Sequence, residues 1–242
     1  MRTGASLYRR FHIGYSSGYT HLRAKKLRKT GFVHISYIMN KNHLVCKEEC
    51  TMAIFYIADM HFGHRSAIDF DDRPFTDVEE MNQAMIDRWN EVVGRKDTVY
   101  ILGDFSLGLK AGEAKQIALS LNGHKHLVLG NHDKRNAPWY RDVFELVSPY
   151  MEVHDQVDGF RRNVVLSHYF IPFYPQARYM GFMLHGHTHK TAESDYEEAI
   201  KQELRNKGLR CEAYNVGCMW QDYRPQTLEQ IIARQPRTVK TV

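Results

Sequence analysis

The 242 residues suffice for one domain with a sizeable core plus appendages, and the net charge of +5 is unevenly spread: residues 1 to 51 hold ten Lys/Arg against Glu48 and Glu49 (+8), leaving 23 basic and 26 acidic residues (−3) beyond. The body is therefore mildly acidic, which makes no case for a nucleic-acid groove, and no apolar run approaches the ~20 residues that cross a bilayer. The first thirty residues lack the apolar segment of a secretory signal, and the four cysteines, Cys46, Cys50, Cys211 and Cys218, form neither a disulfide framework nor a paired zinc spacing, so a reducing, cytoplasmic setting is expected.

Residues 1 to 51 combine basic clusters with scattered tyrosines and glycines, and disorder or a loose arm is expected there. Met52 stands directly before the first strong strand and offers a translation start, which would make the upstream part artefactual. A basic nucleic-acid arm and an Arg-rich transit peptide are the alternatives. The body then runs from 52 to 234. A strand at 53 to 58 leads into a polar loop through His64, Arg65 and Pro74, expected to wall one side of a site. Thr76-Asp77-Val78-Glu79 reads as a capping box, followed by Met81, Met85, Trp89 and Val92 at helical spacing in a core-facing helix that ends near Gly94. A strand at 98 to 102, a helix from about Gly112 to Leu121 and a strand at 126 to 129 complete a β-α-β-α-β run with parallel strands.

The second half changes character. Tyr150 to Val157 and Arg161 to Leu166 flank Asp158-Gly159, a hairpin signal, so a second sheet with antiparallel pairing is expected. Tyr169 to Pro175 is too proline-broken for a strand or helix, and its aromatics either line a substrate pocket or cover the sheet. Residues 192 to 207 suit a charged, solvated helix, and Arg210 to Gly217 a strand. Thr227-Leu228-Glu229-Gln230 is a second capping box opening a short helix through Ile231 and Ile232, and Gln235 to Val242 is expected to fray.

One pattern recurs through the body. Leu127-Val128-Leu129 stops at Gly130 and delivers Asn131-His132-Asp133; other apolar runs end in Asp59-Met60-His61, in Gly103-Asp104, in Ser167-His168 and in His185-Gly186-His187-Thr188-His189. Each alone is more often a cap or turn. Five strand ends carrying Asp, Asn or His point to a metal site, since ligands of open α/β sheets gather at the carboxyl edge. Asp59, His61, Asn131, His168, His187 and His189 supply enough oxygen and imidazole donors for two adjacent divalent ions, and Asp104 is the natural bridge.

This ordered set of five motifs over residues 53 to 232 resembles the calcineurin-like metallophosphoesterase superfamily, in particular its small, uncapped prokaryotic members, down to Asn215-Val216-Gly217 followed by Tyr223, Pro225, Leu228 and Ile231. The resemblance implies an α/β fold of two packed mixed β-sheets flanked by helices, a four-layer αββα sandwich. It implies Asp59, His61 and His189 on one ion, Asn131, His168 and His187 on the other, and Asp104 bridging. The ions would be Mn²⁺, with iron, zinc or nickel as substitutes. It further implies that His132 serves as proton donor to the leaving oxygen, with Asp133 orienting its ring.

Two departures narrow the expected reaction. No Arg follows Asp104 closely, which sets phosphoprotein substrates in doubt, and no extra domain of the kind nuclease relatives use is present. The expectation is a two-metal hydrolase of a small soluble phosphoester, with diesters favoured over monoesters. Set against it are a phosphomonoesterase, a nuclease, which needs a basic groove, and a non-catalytic scaffold of the same fold, which would show lost ligands.

Overall fold

The computed structural model describes residues 52 to 234, together with the backbone of four strands before them. The chain divides into two compact units, Met1–Ala53 and Ile54–Val242.

In the first unit, β1 (Tyr8–Ser16), β2 (Tyr19–Arg28), β3 (Gly31–Asn40) and β4 (His43–Glu49) pair consecutively and antiparallel. Where the sequence suggested an unpatterned arm, the backbone therefore runs as a meander. Val33, Ile35, Tyr37 and Met39 recur every second residue, a strand period that the clusters of Lys and Arg mask. The side chains of residues 1 to 51, and the tail at 235 to 242, lie outside the described residues.

The second unit carries β5 (Ile54–Ile57), α1 (Arg65–Phe70), α2 (Val78–Val92), β6 (Thr98–Leu102), α3 (Ala111–Ser120), β7 (His124–Val128) and β8 (Phe144–Ser148). There follow β9 (Tyr150–Val157), β10 (Phe160–Ser167), β11 (Phe182–His185), α4 (Ala192–Asn206), β12 (Ala213–Asn215) and α5 (Leu228–Arg234). One sheet has the order β5-β6-β7-β8, the other β12-β11-β10-β9. The first is parallel throughout, so the expectation of two mixed sheets holds only for the second, in which β9 alone runs antiparallel. Each connection in the first sheet passes through a helix or helical turn that returns the chain to the same edge, the route parallel pairing requires. β8 was not foreseen: Phe144-Glu145-Leu146 offers a charged residue in a short edge strand instead of an apolar run.

The two sheets face each other across one core. Tyr56, Ala58, Leu102 and Val128 from the first meet Val164, Leu166, Phe182 and Leu184 from the second, closed by Leu228, Ile231 and Ile232 of α5. Strand alternation turns Phe55, Ile57, Val99 and Ile101 to the other face, and they are buried, as are Met81, Met85 and Trp89 of α2. The outer face of the second sheet, Val165 and Met183, packs with Leu204 of α4 and with Tyr174. The result is a two-sheet α/β sandwich.

Local chemistry fixes the boundaries. The cap of α2 is Asp77, one residue later than the box placed it: its carboxylate accepts from Glu80 N at 2.8 Å, while Glu80 accepts from Thr76 N at 2.8 Å. Thr227 and Gln230 form the reciprocal pair expected before α5. Asp158 and Gly159, with φ of 52° and 80°, make the tight turn between β9 and β10. Along β5, Ala58 N donates to Val216 O and Cys218 N to Ala58 O, both at 2.8 Å, which sets the chain after β12 beside the end of β5.

Candidate metal centre

The five polar motifs leave their strands at one edge, and the chain there takes an unusual backbone. Asp59, His61, Asp104 and His187 have φ of 55°, 50°, 54° and 74°. A left-handed non-glycine residue costs ~1–3 kcal/mol and persists only where its surroundings hold it. They do: Asp59 N donates to Gly103 O at 3.1 Å, His61 N to Asp104 O at 3.0 Å, and Gly186 N to His168 O at 3.0 Å. The motif glycines follow from close approach. A Cβ on Gly130 would stand 2.2 Å from Asp104 Oδ1, and one on Gly186 2.4 Å from Asp59 Oδ2. Either would push a carboxylate out of the cluster.

Two groups of donors assemble, Asp59–His61–His189 and Asp59–Asp104–His168, each with its ligand atoms within 4.8 Å of one another. Either could hold a metal ion. Asp59 belongs to both groups, yet the His168 nitrogen nearest it, at 4.0 Å, is Nδ1, which donates to Leu102 O at 2.8 Å. That bond leaves His168 Nε2 with its lone pair free, 3.5 Å from Asp104 Oδ2. The same Asp104 oxygen lies 3.6 Å from His61 Nε2. Asp104 Oδ2 thus reaches a ligand nitrogen on either side, which suits it better than Asp59 to a shared position. Asn131 Oδ1 lies 2.9 Å from His168 Nε2 and 3.1 Å from His187 Nδ1, so the second side gathers Asn131, His168 and His187. On the first side, His61 Nε2 and His189 Nε2 face each other at 3.2 Å.

The electrostatics suit a cation. Asp59, His61, Asp104 and His168 are almost wholly buried. Burial pushes the Asp59 carboxyl up to about 6, against the pull of His168 and His189. Burial, then the nearby His189 and Arg73, pushes His61 down to about 2, which favours its neutral imidazole. Burial likewise lowers His187, followed by the neighbouring His168. His61 Nδ1 is buried and finds no hydrogen-bond partner among the described residues.

Residues without a signal in the sequence complete the support. Asp71 accepts from His189 Nδ1 at 2.9 Å, fixing which nitrogen faces the cluster. Arg73 in turn grips Asp71 at 2.8 Å and donates to Met60 O and Asp59 O at 2.9 and 3.0 Å. Both side chains are buried. They follow the short helix α1, which lies in the loop expected to wall the site. Behind His187 and His189, Thr188 Oγ1 donates to Glu197 at 2.8 Å; Glu197 also contacts buried His185 at 3.1 Å and ion-pairs with Lys201.

The role expected for Asp133 is corrected. Its oxygens accept from Asp104 N at 2.7 Å, Gly130 N at 2.8 Å and Phe105 N at 3.3 Å, and none of its hydrogen bonds among the described residues reaches the His132 ring. It braces the Asp104 loop because three converging backbone N–H groups outcompete one exposed imidazole. His132 itself is exposed; its N–H donates to Asp104 Oδ1 at 2.9 Å, and its ring stands 5.6 Å from that of His61.

Among the described residues no helix is long and apolar enough to cross a membrane. No family model matches the chain. It is 30% identical over 196 residues to the "Uncharacterized protein MJ1445" of Methanocaldococcus jannaschii, covering 78% of this chain and 96% of that one. It is 32% identical over 162 residues to the "Gene 66 protein" of Mycobacterium phage L5, covering 56% of this chain and 76% of the phage protein. The crystal structure of "the Protein of Unknown Function AQ665 from Aquifex aeolicus" shares the fold, with a TM-score of 0.55 at 24% identity over 76% of this chain and 99% of that one.

Proposed function

We propose that this chain, which belongs to the family of the Methanocaldococcus jannaschii protein MJ1445, is a two-metal phosphoesterase of the calcineurin-like kind, acting on a small phosphodiester. The observation that carries the reading is the position of Asp104 Oδ2 between His61 Nε2 and His168 Nε2, at 3.6 and 3.5 Å. Around it stand Asp59 and His189 on one side and Asn131 and His187 on the other. These seven residues would hold two ions, Mn²⁺ by preference, because a mixed oxygen and imidazole set suits a transition metal better than Mg²⁺. Bound there, the ions supply activation of water and neutralisation of phosphoryl charge.

The remaining steps belong to the protein. His132, exposed on the loop after β7 and pinned through its N–H to Asp104, is placed to give a proton to the leaving oxygen. Asp133 keeps Asp104 in place from behind. A scaffold of this fold would have no reason to retain a complete ligand set with its imidazoles held by Leu102 O and Asp71. A nuclease would need a basic groove, and the sequence beyond residue 51 has a net charge of −3 from 23 basic and 26 acidic residues.

The preference for diesters follows from the cations. A monoester dianion is best gripped by an Arg fork. Arg73 is buried and committed to Asp71 and two backbone carbonyls, and Arg65 pairs with Asp69 at 3.2 Å. A diester carries one negative charge, which the ions balance without such a grip. The test is kcat/KM for bis(p-nitrophenyl) phosphate against p-nitrophenyl phosphate with Mn²⁺. The diester is expected to be at least as good a substrate. A monoester preference of ~100-fold, about 2.7 kcal/mol of transition-state binding, overturns this and directs attention to Arg65, whose pair with Asp69 is exposed, and to Lys134 and Arg135 on the His132 loop.

A further inference from the structure

The ligand cluster is framed by two aromatic side chains that the protein leaves uncovered. Tyr169 is 49% exposed, although its ring lies 4.7 Å from that of His187 and 5.1 Å from that of His168, edge-on to both. Phe70 is 44% exposed and sits edge-on against His189 at 5.1 Å. An aromatic ring gains most when its large surface is covered, and an uncovered ring beside a binding site is surface kept for a ligand. The two rims differ. Phe70 borders the side of the buried Asp59 and His61, where the His132 ring also stands, 5.6 Å from that of His61, whereas Tyr169 borders the side where Asn131 faces solvent. A phosphodiester lying across both sides, with its leaving oxygen toward His132, would turn its other ester substituent toward Tyr169.

We propose that Tyr169 determines specificity by stacking against a flat, unsaturated group on the ester, and that the substrate is accordingly a nucleotide-sized phosphodiester carrying a nucleobase. The proposal rests on the phosphoesterase reading and names the substrate class for the same site. Base stacking on an aromatic ring tolerates any base and contributes enough to shift kcat/KM by ~10- to 100-fold. The acidic excess of the chain beyond residue 51 favours a single nucleotide over a polyanion.

The test compares two diesters with one leaving group, thymidine 5′-(p-nitrophenyl phosphate) and ethyl p-nitrophenyl phosphate, on the Mn²⁺-loaded full chain. The nucleotide ester is expected to be favoured by ~10- to 100-fold. In Tyr169→Ala the ratio of the two kcat/KM values should fall toward one, and Tyr169→Phe should restore it. A ratio near one in the parent overturns the proposal. So does a preference that survives Tyr169→Ala, or an equal loss on both esters, which would mark Tyr169 as a support for His187. Calorimetric binding of thymidine 5′-monophosphate against ethyl phosphate separates the two levels of inference. If neither ester is hydrolysed, the phosphoesterase reading fails. The stacking site then stands only if the nucleotide binds ~10-fold tighter in the parent and not in Tyr169→Ala; equal binding of both ligands overturns it.

Discussion

Asp71→Ala should damage the protein twice, once in stability and once in metal affinity. Asp71 is fully buried and Arg73 is 4% exposed, so the pair has no water to fall back on. Without the carboxylate, the guanidinium keeps its bonds to Met60 O and Asp59 O but loses its counter-charge. Stranding one member of a buried pair costs ~3–5 kcal/mol. At ~2–4 °C per kcal/mol for a domain of this size, the melting temperature should drop by ~6–20 °C. The same change frees His189 Nδ1, and loss of such an orienting partner typically weakens a metal site by ~10–100-fold. Calorimetric melts in chelator isolate the first effect, and titration of stripped protein with Mn²⁺ the second. Arg65→Ala is the control: Arg65 and Asp69 are 56% and 71% exposed, so breaking their pair should cost under ~1 kcal/mol. Burial works to raise the pKa of Asp71, but His189 and Arg73 outweigh it and hold the group below its ordinary value. Its contribution is therefore complete above that ordinary value and fades as pH falls through the depressed one, so the gap between parent and variant should narrow only in strong acid. An Asp71→Ala protein that melts within ~2 °C of the parent and binds Mn²⁺ equally well would refute the reasoning.

His132→Ala should retain its metal and lose ~10²- to 10⁴-fold in turnover, the range for a missing general acid, whereas Asp104→Ala should lose metal because it removes the oxygen that lies 3.6 Å from His61 Nε2 and 3.5 Å from His168 Nε2. Elemental analysis beside the rate separates the two, and a metal-free His132→Ala protein would make that residue a ligand. Removing residues 1 to 51 should leave the melt and the turnover of the body unchanged, since every proposed ligand and the inter-sheet core lie beyond them. A clear fall in melting temperature on truncation would show that the body depends on them.

What the sequence revealed about this site was carried by its backbone. Strand-ending motifs were legible because an apolar run must stop where polar ligands begin, and because Gly130 and Gly186 mark places where a carboxylate oxygen comes within 2.2 to 2.4 Å of a would-be Cβ. The turn at Asp158-Gly159 and the cap at Thr227 were legible for the same reason, since each is a local demand met by neighbouring residues. Asp71 and Arg73 were not. Asp71 reaches His189 across 118 positions, and nothing in Asp71-Asp72-Arg73 distinguishes a buried pair from surface charge until the fold closes over it. Asp133 was misread for a related reason: besides Gly130 N, three residues before it, its partners are backbone N–H groups of a loop 28 and 29 residues away, and none of the three carries a side-chain signature. Edge strand β8 escaped because it is half-exposed, and a partly polar strand at a sheet edge lacks the apolar run that revealed its neighbours.

In the proposed centre, seven side chains hold two ions that phosphoester cleavage requires. This is tested most directly by stripping the full chain with chelator and following hydrolysis of bis(p-nitrophenyl) phosphate as Mn²⁺ is added back by the equivalent. No turnover is expected in the stripped protein, and the rate should rise and level at about two equivalents per chain, as a dinuclear site demands. Full turnover without metal, or none at any Mn²⁺ concentration, would contradict it.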